Sequence, residues 1–313
     1  MDKNLPVLIT AFLREEKTLA LFESLALMGT HRVYISMDKG RDSEEISRQN
    51  ILLEKLQELG DRYKVFLKIR VNLRNQGLAV SVMTAADWFF QHEEFGVILE
   101  DDLVPSRKFL DFCLDNREII ESHGSCLFIS GNSFESKSGI LEPSFINYPL
   151  IWGWATTRQK WQLMRDEILT KRYLSWKAIL KPGKLGYFAT GLMRARRGRI
   201  DSWAVPLASR MYLANYTCLT PPSNLVANNG DDDNSTHSNS NDWTLNQPVE
   251  LFSHANYSVK KINRSSEQNR IVERDVYGIR WYHIFGPLNS LFFDRFRKFE
   301  SLKPLMDRIR KSI

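Results

Sequence analysis

Cysteine is scarce in this chain, and long apolar runs are missing. Only three cysteines occur among 313 residues, Cys113, Cys126 and Cys218, and their spacing is not that of a metal finger. Isolated cysteines of this kind are typical of reduced, buried thiols rather than of a disulfide scaffold. The first residues lack the apolar stretch of a signal peptide, and no window reaches the ~18 apolar residues of a membrane span. We therefore expect a cytoplasmic protein.

The overall composition is that of an ordinary globular protein. Hydrophobic residues make up 43% and charged residues 26% of the chain, which excludes disordered and fibrous classes. The length suits one large α/β domain or two unequal lobes around one core. The net charge of +6 favours an anionic partner without identifying it. We expect no nucleic-acid partner.

Short apolar runs alternate with helically spaced ones over the first hundred residues. The runs that predict buried strands are 6–10, 32–37, 65–71 and 95–99, and the patterns that predict helices are 16–27, 43–59 and 78–90. Gly60 is expected to close the second helix. This alternation predicts an α/β fold with a mostly parallel sheet and helices on both faces.

Polar side chains follow three of the predicted strands. Thr10, Asp38 and the triplet Glu100-Asp101-Asp102 each stand where a strand ends. In open α/β sheets ligands bind outside the carboxyl ends of the strands. We therefore expect these three clusters to converge on one binding edge.

The second half of the sequence is less regular. A strand is predicted at 125–130 and a helix at 158–168, and the polar stretch 228–242 is predicted to be a surface loop. Trp152 and Trp154 suit either stacking on a sugar ring or packing in the core. The tail, 281–313, has the pattern of a basic amphipathic helix, which lies on an anionic membrane surface or packs on the domain.

The triplet Glu100-Asp101-Asp102 is the strongest chemical signal. Three adjacent carboxylates repel one another unless a cation neutralises them. Mg²⁺ and Mn²⁺ prefer oxygen ligands and often combine one or two carboxylates with substrate phosphates. A solvated acidic loop is the alternative, although the position directly after an apolar strand favours the metal.

This triplet also carries a resemblance to a known family. The segment 96–106, Gly-Val-Ile-Leu-Glu-Asp-Asp-Leu-Val-Pro-Ser, resembles the metal-binding strand end of inverting N-acetylglucosaminyltransferases of the GT-A fold. The segments 6–14, 33–40 and 72–78 are similar to preceding parts of that family, in the same order. Downstream, 151–155 and 199–203 are similar only in short elements, and 222–230 resembles a block of bacterial surface-polysaccharide sugar transferases.

The resemblance implies roles for individual residues on the donor side. Asp102 would bind Mn²⁺ or Mg²⁺, and Asp101 and Glu100 would contact the ribose and the donor sugar. Asp38 would contact the nucleotide base, although Asp is also common in such turns. Arg14 and Arg74 would bind the diphosphate, or they are solvated surface residues, and Thr10 would contact the nucleoside or simply end its strand.

On the acceptor side, inversion at a sugar carbon needs a base that takes the proton of the attacking hydroxyl. Asp201 is the candidate, and a helix N-cap is its alternative role. Asp231, Asp232 and Asp233 are rivals in a polar loop, and His237 receives no role. We expect residues 1–125 to form the nucleotide-sugar-binding half, 126–280 the acceptor-binding half of the same domain, and 281–313 the basic tail.

The leading hypothesis from the sequence is an inverting, metal-dependent glycosyltransferase. It would move a sugar from a UDP-sugar to a hydroxyl of a glycan or lipid-linked glycan, in bacterial surface-polysaccharide synthesis. A lipid-linked acceptor would place it peripherally on the inner face of the membrane through its tail. The alternatives are a nucleotidyltransferase that makes a nucleotide-sugar and an inactive glycan-binding protein of the same fold. The missing glycine in the segment 10–14 counts against the nucleotidyltransferase.

Overall fold

The computed structural model describes residues 5–134, 142–170, 184–230, 264–277 and 279. Most of the predicted loop 228–242, with Asp231, Asp232, Asp233 and His237, lies outside these residues, and so does the tail 281–313. Within the described part, no helix has the length and apolar character that crossing a bilayer requires.

The first hundred residues form alternating strands and helices, as their pattern predicts. The elements are β1 (Val7–Ala11), α1 (Glu15–Leu27), β2 (Arg32–Met37), α2 (Ser43–Tyr63), β3 (Phe66–Val71), α3 (Leu78–Phe89) and β4 (Phe95–Glu100). Asp42 begins α2 by accepting a hydrogen bond from the Glu45 N–H at 2.9 Å. This is the preferred chemistry of a helix N-cap.

Four parallel strands make up one half of the main sheet, in the order β3-β2-β1-β4. Thr10 of β1 pairs in register with Ser36 of β2 and with Glu100 of β4. The carboxyl ends of β1, β2 and β4 therefore meet at one edge, which confirms the α/β fold and brings the three predicted polar clusters to the same edge.

The rest of the chain extends this sheet with mixed strand directions. Its elements are β5 (Leu103–Pro105), α4 (Arg107–Asp115), α5 (Arg117–Ser122), β6 (Cys126–Ser130), β7 (Ser144–Ile146), β8 (Trp154–Thr157), α6 (Arg158–Leu169), α7 (Lys184–Arg196), α8 (Ala204–Ala214), β9 (Thr217–Thr220), β10 (Val226–Asn228), α9 (Ser266–Ile271) and a π-helical segment (Val272–Val276). The strand order of the eight-stranded sheet is β3-β2-β1-β4-β8-β6-β9-β7, and β5 pairs with β10 beside it. Only β8 and β7 run antiparallel to their neighbours in this sheet.

Apolar side chains are buried on both faces of the sheet. In β1, Val7 and Ile9 pack into one hydrophobic cluster, and Leu8 between them packs into the other. Because both faces are covered, the strands are continuous apolar runs rather than alternating ones. Trp154 is buried against Trp161 and Trp203, so its core role is the one that the structure supports. The three cysteines are free and buried, as predicted.

Two predicted helix boundaries are wrong. The helix α2 continues through Gly60 and ends at Tyr63, with Lys64 in the left-handed conformation as its C-cap. Gly60 instead allows close packing, since a Cβ there would lie 3.1 Å from Cδ2 of Leu67. In the alternative in which Asp201 is an N-cap, a helix would start at this residue, whereas the helix begins at Ala204 and Asp201 caps a different one.

Candidate functional site

A cavity of about 560 Å³ opens at the carboxyl ends of the parallel strands. It lies between the β1–α1 connection, the turn after β2, the start of α3 and the end of β4, and Asp201 joins it from the second half of the chain. Its lining residues are Thr10, Ala11, Phe12, Leu13, Arg14, Asp38, Arg41, Glu45, Arg48, Asn75, Gly77, Leu78, Ser81, Val82, Glu100, Asp101 and Asp201. Five of the predicted binding residues and the predicted base are therefore in one place.

Two carboxylates of the acidic triplet share one guanidinium nitrogen. Nη1 of Arg14 lies 2.8 Å from Oδ2 of Asp102 and 3.1 Å from Oδ1 of Asp101. The backbone N–H of Phe12 donates to the other oxygen of Asp101 at 3.3 Å. All three side chains of this ion-pair group are largely shielded from solvent. Two carboxylate oxygens thus point at a single position that a positive charge occupies.

The acidic triplet carries more negative charge than Arg14 neutralises. Burial raises the pKa of Glu100 to about 8, and the charges of Asp102 and Asp101 act in the same direction. Burial also raises the pKa of Asp101 to about 6, although the neighbouring Arg14 opposes this shift. Such pKa shifts are common in ion-binding and catalytic sites, because the charged carboxylates there are stabilised only when a cation or a substrate binds.

Asp102 is held from the opposite side by the segment that follows β10. It does not line the cavity itself, and its backbone carbonyl accepts the Asn229 N–H at 3.0 Å. A Cβ on Gly230 would lie 2.7 Å from Oδ2 of Asp102. Glycine therefore lets the chain pass directly beside this carboxylate. Lys17 donates to the Asn229 carbonyl at 2.7 Å and fixes the same segment to α1.

A hard divalent cation fits the donor set of Asp101 and Asp102. Their two oxygens already converge on one cationic nitrogen, and carboxylate oxygens are the ligands that Mg²⁺ and Mn²⁺ prefer. Among the described residues, no three His, Cys, Asp or Glu side chains form a ready metal cage. The protein would therefore supply one or two ligands and leave the others to phosphate oxygens and water, as is usual for Mg²⁺.

Asp38 lies in the cavity wall and organises the turn before α3. Its carboxylate accepts hydrogen bonds at 3.0 Å from the backbone N–H groups of Gln76 and Gly77 and from the side chain of Asn72. The side chain is almost fully buried. Within its own turn, Asp38 also accepts the Lys39 N–H at 3.0 Å, which matches the turn role that is the alternative to base recognition.

Asp201 occupies the amino end of α3. Its Oδ2 accepts the Leu78 N–H at 2.9 Å, and its Oδ1 accepts the Ala79 N–H at 3.0 Å. The positive end of the helix dipole favours a carboxylate there. Gly77 precedes the helix with φ +78°, and a Cβ on it would lie 2.9 Å from Oδ2 of Asp201. The capping role is thus present, but for a helix more than one hundred residues earlier in the chain.

The remaining predicted residues divide into two groups. Thr10 lines the cavity, and its hydroxyl donates to the Leu99 carbonyl at 3.3 Å. Arg74 is exposed on the turn before α3 and is not among the lining residues. The solvated alternative for Arg74 therefore matches its position.

Sequence reasoning missed two basic residues of the cavity wall. Arg41 forms an ion pair with Glu45 and stacks over Phe12, with its Cζ 5.5 Å from the ring centre. Arg48 donates to the Leu13 carbonyl at 3.2 Å. Arg41 lies just before α2 and Arg48 inside it, so the one available signal was for Arg41, which follows the strand end at Asp38 by three residues.

Comparisons with known proteins add little to this site. No protein-family model and no curated protein match the sequence. An inositol-1-phosphate CTP transferase from T. maritima is similar in structure with a TM-score of 0.39 and 11% identity, over 72% of this chain and 89% of that one. UDP-glucose pyrophosphorylase structures, one with UDP-glucose and one apo, each have a TM-score of 0.35, with 9% and 11% identity, over 69% of this chain and 90% of theirs. Scores this low carry no argument about activity.

Proposed function

We propose that this protein is a transferase that binds a nucleoside diphosphate sugar in the 560 Å³ cavity, with a divalent cation at the cavity edge beside Asp101 and Asp102. The observation that carries this proposal is the convergence of Asp101 and Asp102 on one cationic position at the carboxyl edge of the sheet. This edge is where α/β sheets bind nucleotides. Arg14, Arg41 and Arg48 supply positive charge around the same cavity for the diphosphate.

Glycosyl transfer is the first candidate reaction, and the short β1–α1 connection supports it. Only Phe12, Leu13 and Arg14 separate β1 from α1, and none of them is glycine. Nucleotidyltransferases usually carry a glycine-rich basic loop at this point to wrap a triphosphate. A three-residue connection is too short to wrap a triphosphate in this way. The site therefore suits a diphosphate sugar, held through a cation on the carboxylates, better than a nucleoside triphosphate.

In this reaction the acceptor hydroxyl attacks the sugar carbon while the bond from that carbon to the diphosphate oxygen breaks. A cation bound by Asp102 and Asp101 supplies charge neutralisation for the departing diphosphate. Arg14, released from the two carboxylates, pairs with a phosphate oxygen. The hydroxyl proton passes to Asp201, whose oxygens each keep a lone pair beyond their bonds to Leu78 and Ala79.

Nucleotidyl transfer is the second candidate, because it is the activity in the names of the similar solved structures. It would use the same cavity and cation, with a sugar phosphate attacking a nucleoside triphosphate. The names of these structures do not decide between the two reactions, whereas the β1–α1 connection favours glycosyl transfer. The two reactions share a nucleotide-sugar and a metal, and they differ in the bond that breaks.

One pair of assays separates these candidates. The protein is incubated with Mn²⁺ and UDP-hexoses, and UDP release is measured with a glycan acceptor mixture. In parallel it is incubated with UTP and hexose 1-phosphates, and pyrophosphate release is measured. Glycosyl transfer predicts UDP release only, which Asp102→Asn abolishes. Pyrophosphate release without UDP release would replace the first candidate by the second.

A further inference from the structure

A second cavity lies on the far side of Asp201. It has a volume of about 260 Å³ and is lined by residues of α7 and α8, by Ile200 and by Tyr277. Ile200 lines it, and the next residue, Asp201, lines the first cavity. The two cavities are therefore neighbours across the 200–201 peptide. A volume somewhat below the ~300–1,000 Å³ of sites for drug-sized ligands suits a single monosaccharide ring.

The walls of this second cavity are mostly aromatic and aliphatic. Tyr187, Phe188 and Tyr277 form one side, and Ile200 and Val205 contribute aliphatic groups. The rings of Phe188 and Tyr277 meet edge to face with centroids 5.8 Å apart, so they present a fixed surface. Flat aromatic groups of this kind contact the apolar face of a ring ligand.

The small hydroxyl groups in this cavity already have partners. Thr190 donates to the Gly186 carbonyl at 2.8 Å, and Ser209 donates to the carbonyls of Phe188 and Val205 at 2.9 Å. They satisfy helix carbonyls and do not require a ligand.

Arg194, which also lines the cavity, is different. Its Nε is buried and has no hydrogen-bond partner among the residues that the structure describes. A buried donor that lacks an acceptor is costly and rare in native proteins. Its place near the carboxyl end of α7 favours its charge but does not satisfy this donor. An oxyanion entering this cavity would accept a hydrogen bond from this Nε.

The charge around the second cavity supports an anionic ligand. The segment 194–199 also contains Arg196, Arg197 and Arg199, so four positive charges stand within six residues. No acidic residue is among the cavity-lining residues that the structure describes. A positive potential without a lining carboxylate attracts anions and disfavours cations.

We infer that this second cavity binds a sugar ring that carries an oxyanion, either a carboxylate or a phosphate, with the ring against the aromatic side chains and the oxyanion on Arg194. Because the cavity adjoins Asp201, the bound sugar belongs to the acceptor, which makes an anionic glycan the acceptor class. The assignment as acceptor rests on the proposed function, whereas the binding itself does not.

Calorimetric titration without nucleotide tests this inference. The probes are methyl β-D-glucuronide, methyl β-D-glucoside 6-phosphate, neutral methyl β-D-glucoside and inorganic phosphate. We expect at least one charged glycoside to bind about tenfold or more tighter than the neutral one. The better charged probe identifies the oxyanion as carboxylate or phosphate. Equal binding of charged and neutral glycosides, no binding of any glycoside, or inorganic phosphate binding as well as the sugar phosphate would overturn the inference.

Variants of Arg194 test whether this residue binds the oxyanion. Arg194→Met should remove the preference for the charged glycoside, and Arg194→Lys should retain part of it. The exposed Arg197 belongs to the same basic segment but does not line the cavity, so Arg197→Met is the matched control for charge and should keep the preference for the charged glycoside. Equal loss in the two methionine variants would refute the role of Arg194. Binding of UDP with Mn²⁺ in the same samples should be unchanged, which separates a failure here from a failure of the proposed function.

Discussion

Nη1 of Arg14 lies 2.8 Å from Oδ2 of Asp102 and forms an ion pair with it at the edge of the candidate site. The same nitrogen reaches Asp101 at 3.1 Å, so one guanidinium neutralises two neighbouring carboxylates. A divalent cation that binds these oxygens must displace Arg14 from them. Arg14 then becomes available to the phosphates, which would couple cation binding to substrate binding.

Removing Arg14 tests this relationship through stability. Arg14→Met leaves Asp101 and Asp102 shielded and without their cation, so in EDTA the free energy of unfolding should fall by about 3 kcal/mol. Added Mn²⁺ should raise the melting temperature of the variant more than that of the parent, because no guanidinium competes. Urea denaturation and thermal unfolding, each with and without Mn²⁺, measure both effects.

The matched control is Arg107→Met. Arg107 forms an exposed ion pair with Asp111 on α4, and such pairs contribute at most about 1 kcal/mol. Its response to Mn²⁺ should equal that of the parent. If Arg14→Met were no more destabilising than this control, Arg14 would not be the counter-ion of a buried acidic pair.

The raised pKa of Glu100 determines how we expect the stability of the EDTA-treated protein to depend on pH. Its pKa is raised to about 8 in the fold, mainly by burial, from an unfolded value near 4.5. The folded state therefore keeps a proton that the unfolded state loses, and stability falls as pH rises between these values, by at most about 1.4 kcal/mol per unit. Asp101 contributes in the same direction only up to about pH 6.

The interval from pH 6 to pH 8 consequently separates Glu100 from Asp101. Urea denaturation in EDTA should give a decreasing free energy of unfolding across this interval, and Glu100→Gln should flatten the decrease. An unchanged slope in the glutamine variant would show that another group causes it.

Asp201→Asn separates catalysis from helix capping. The asparagine oxygen still accepts one backbone N–H of α3, so the unfolding free energy should change by only about 1 kcal/mol. A general base contributes about 10²–10⁴ in rate, so turnover should fall by that factor while UDP binding stays intact. Initial rates and calorimetry measure the two quantities, with Asp111→Asn as the control. Near-normal turnover would leave Asp201 with its capping role alone.

Gly77 is predicted to be intolerant of any side chain. Its φ of +78° favours glycine, and an added Cβ would lie 2.9 Å from Oδ2 of Asp201. Gly77→Ala should lower the free energy of unfolding by about 1–3 kcal/mol. Gly124 has open space around it and serves as the control, since Gly124→Ala should change stability by less than about 0.5 kcal/mol. Similar urea midpoints for both variants would contradict the close approach of Asp201 to α3.

The sequence predicts the first half of the fold well, because local patterns decide it. The apolar runs of β1, β2 and β4 and the polar residues after them are enough to place Thr10, Asp38 and Glu100 at one edge. The contact between Asp201 and Leu78 spans 123 residues, and no local pattern encodes such a contact. The same reason explains why the capping alternative for Asp201 was assigned to the wrong helix.

Other features depend on packing that spacing does not reveal. Glycine commonly ends a helix, but Gly60 lies inside α2, where its missing side chain leaves room for Leu67. The antiparallel insertion of β8 between β4 and β6 follows from the assembled sheet and not from the run of residues in β8 itself. That the buried Nε of Arg194 has no hydrogen-bond partner among the described residues is likewise visible only when its neighbours are in place.

The central claim is that the carboxylates after β4 hold a cation that binds a nucleotide diphosphate. Calorimetric titration of UDP into the protein, with Mn²⁺ and with EDTA, tests it most directly in the parent and in Asp102→Asn. The account predicts UDP affinity about tenfold or more higher with Mn²⁺ in the parent, and no gain from Mn²⁺ in the variant. Equal UDP affinity with and without Mn²⁺ in both proteins, or no UDP binding at all, would contradict it.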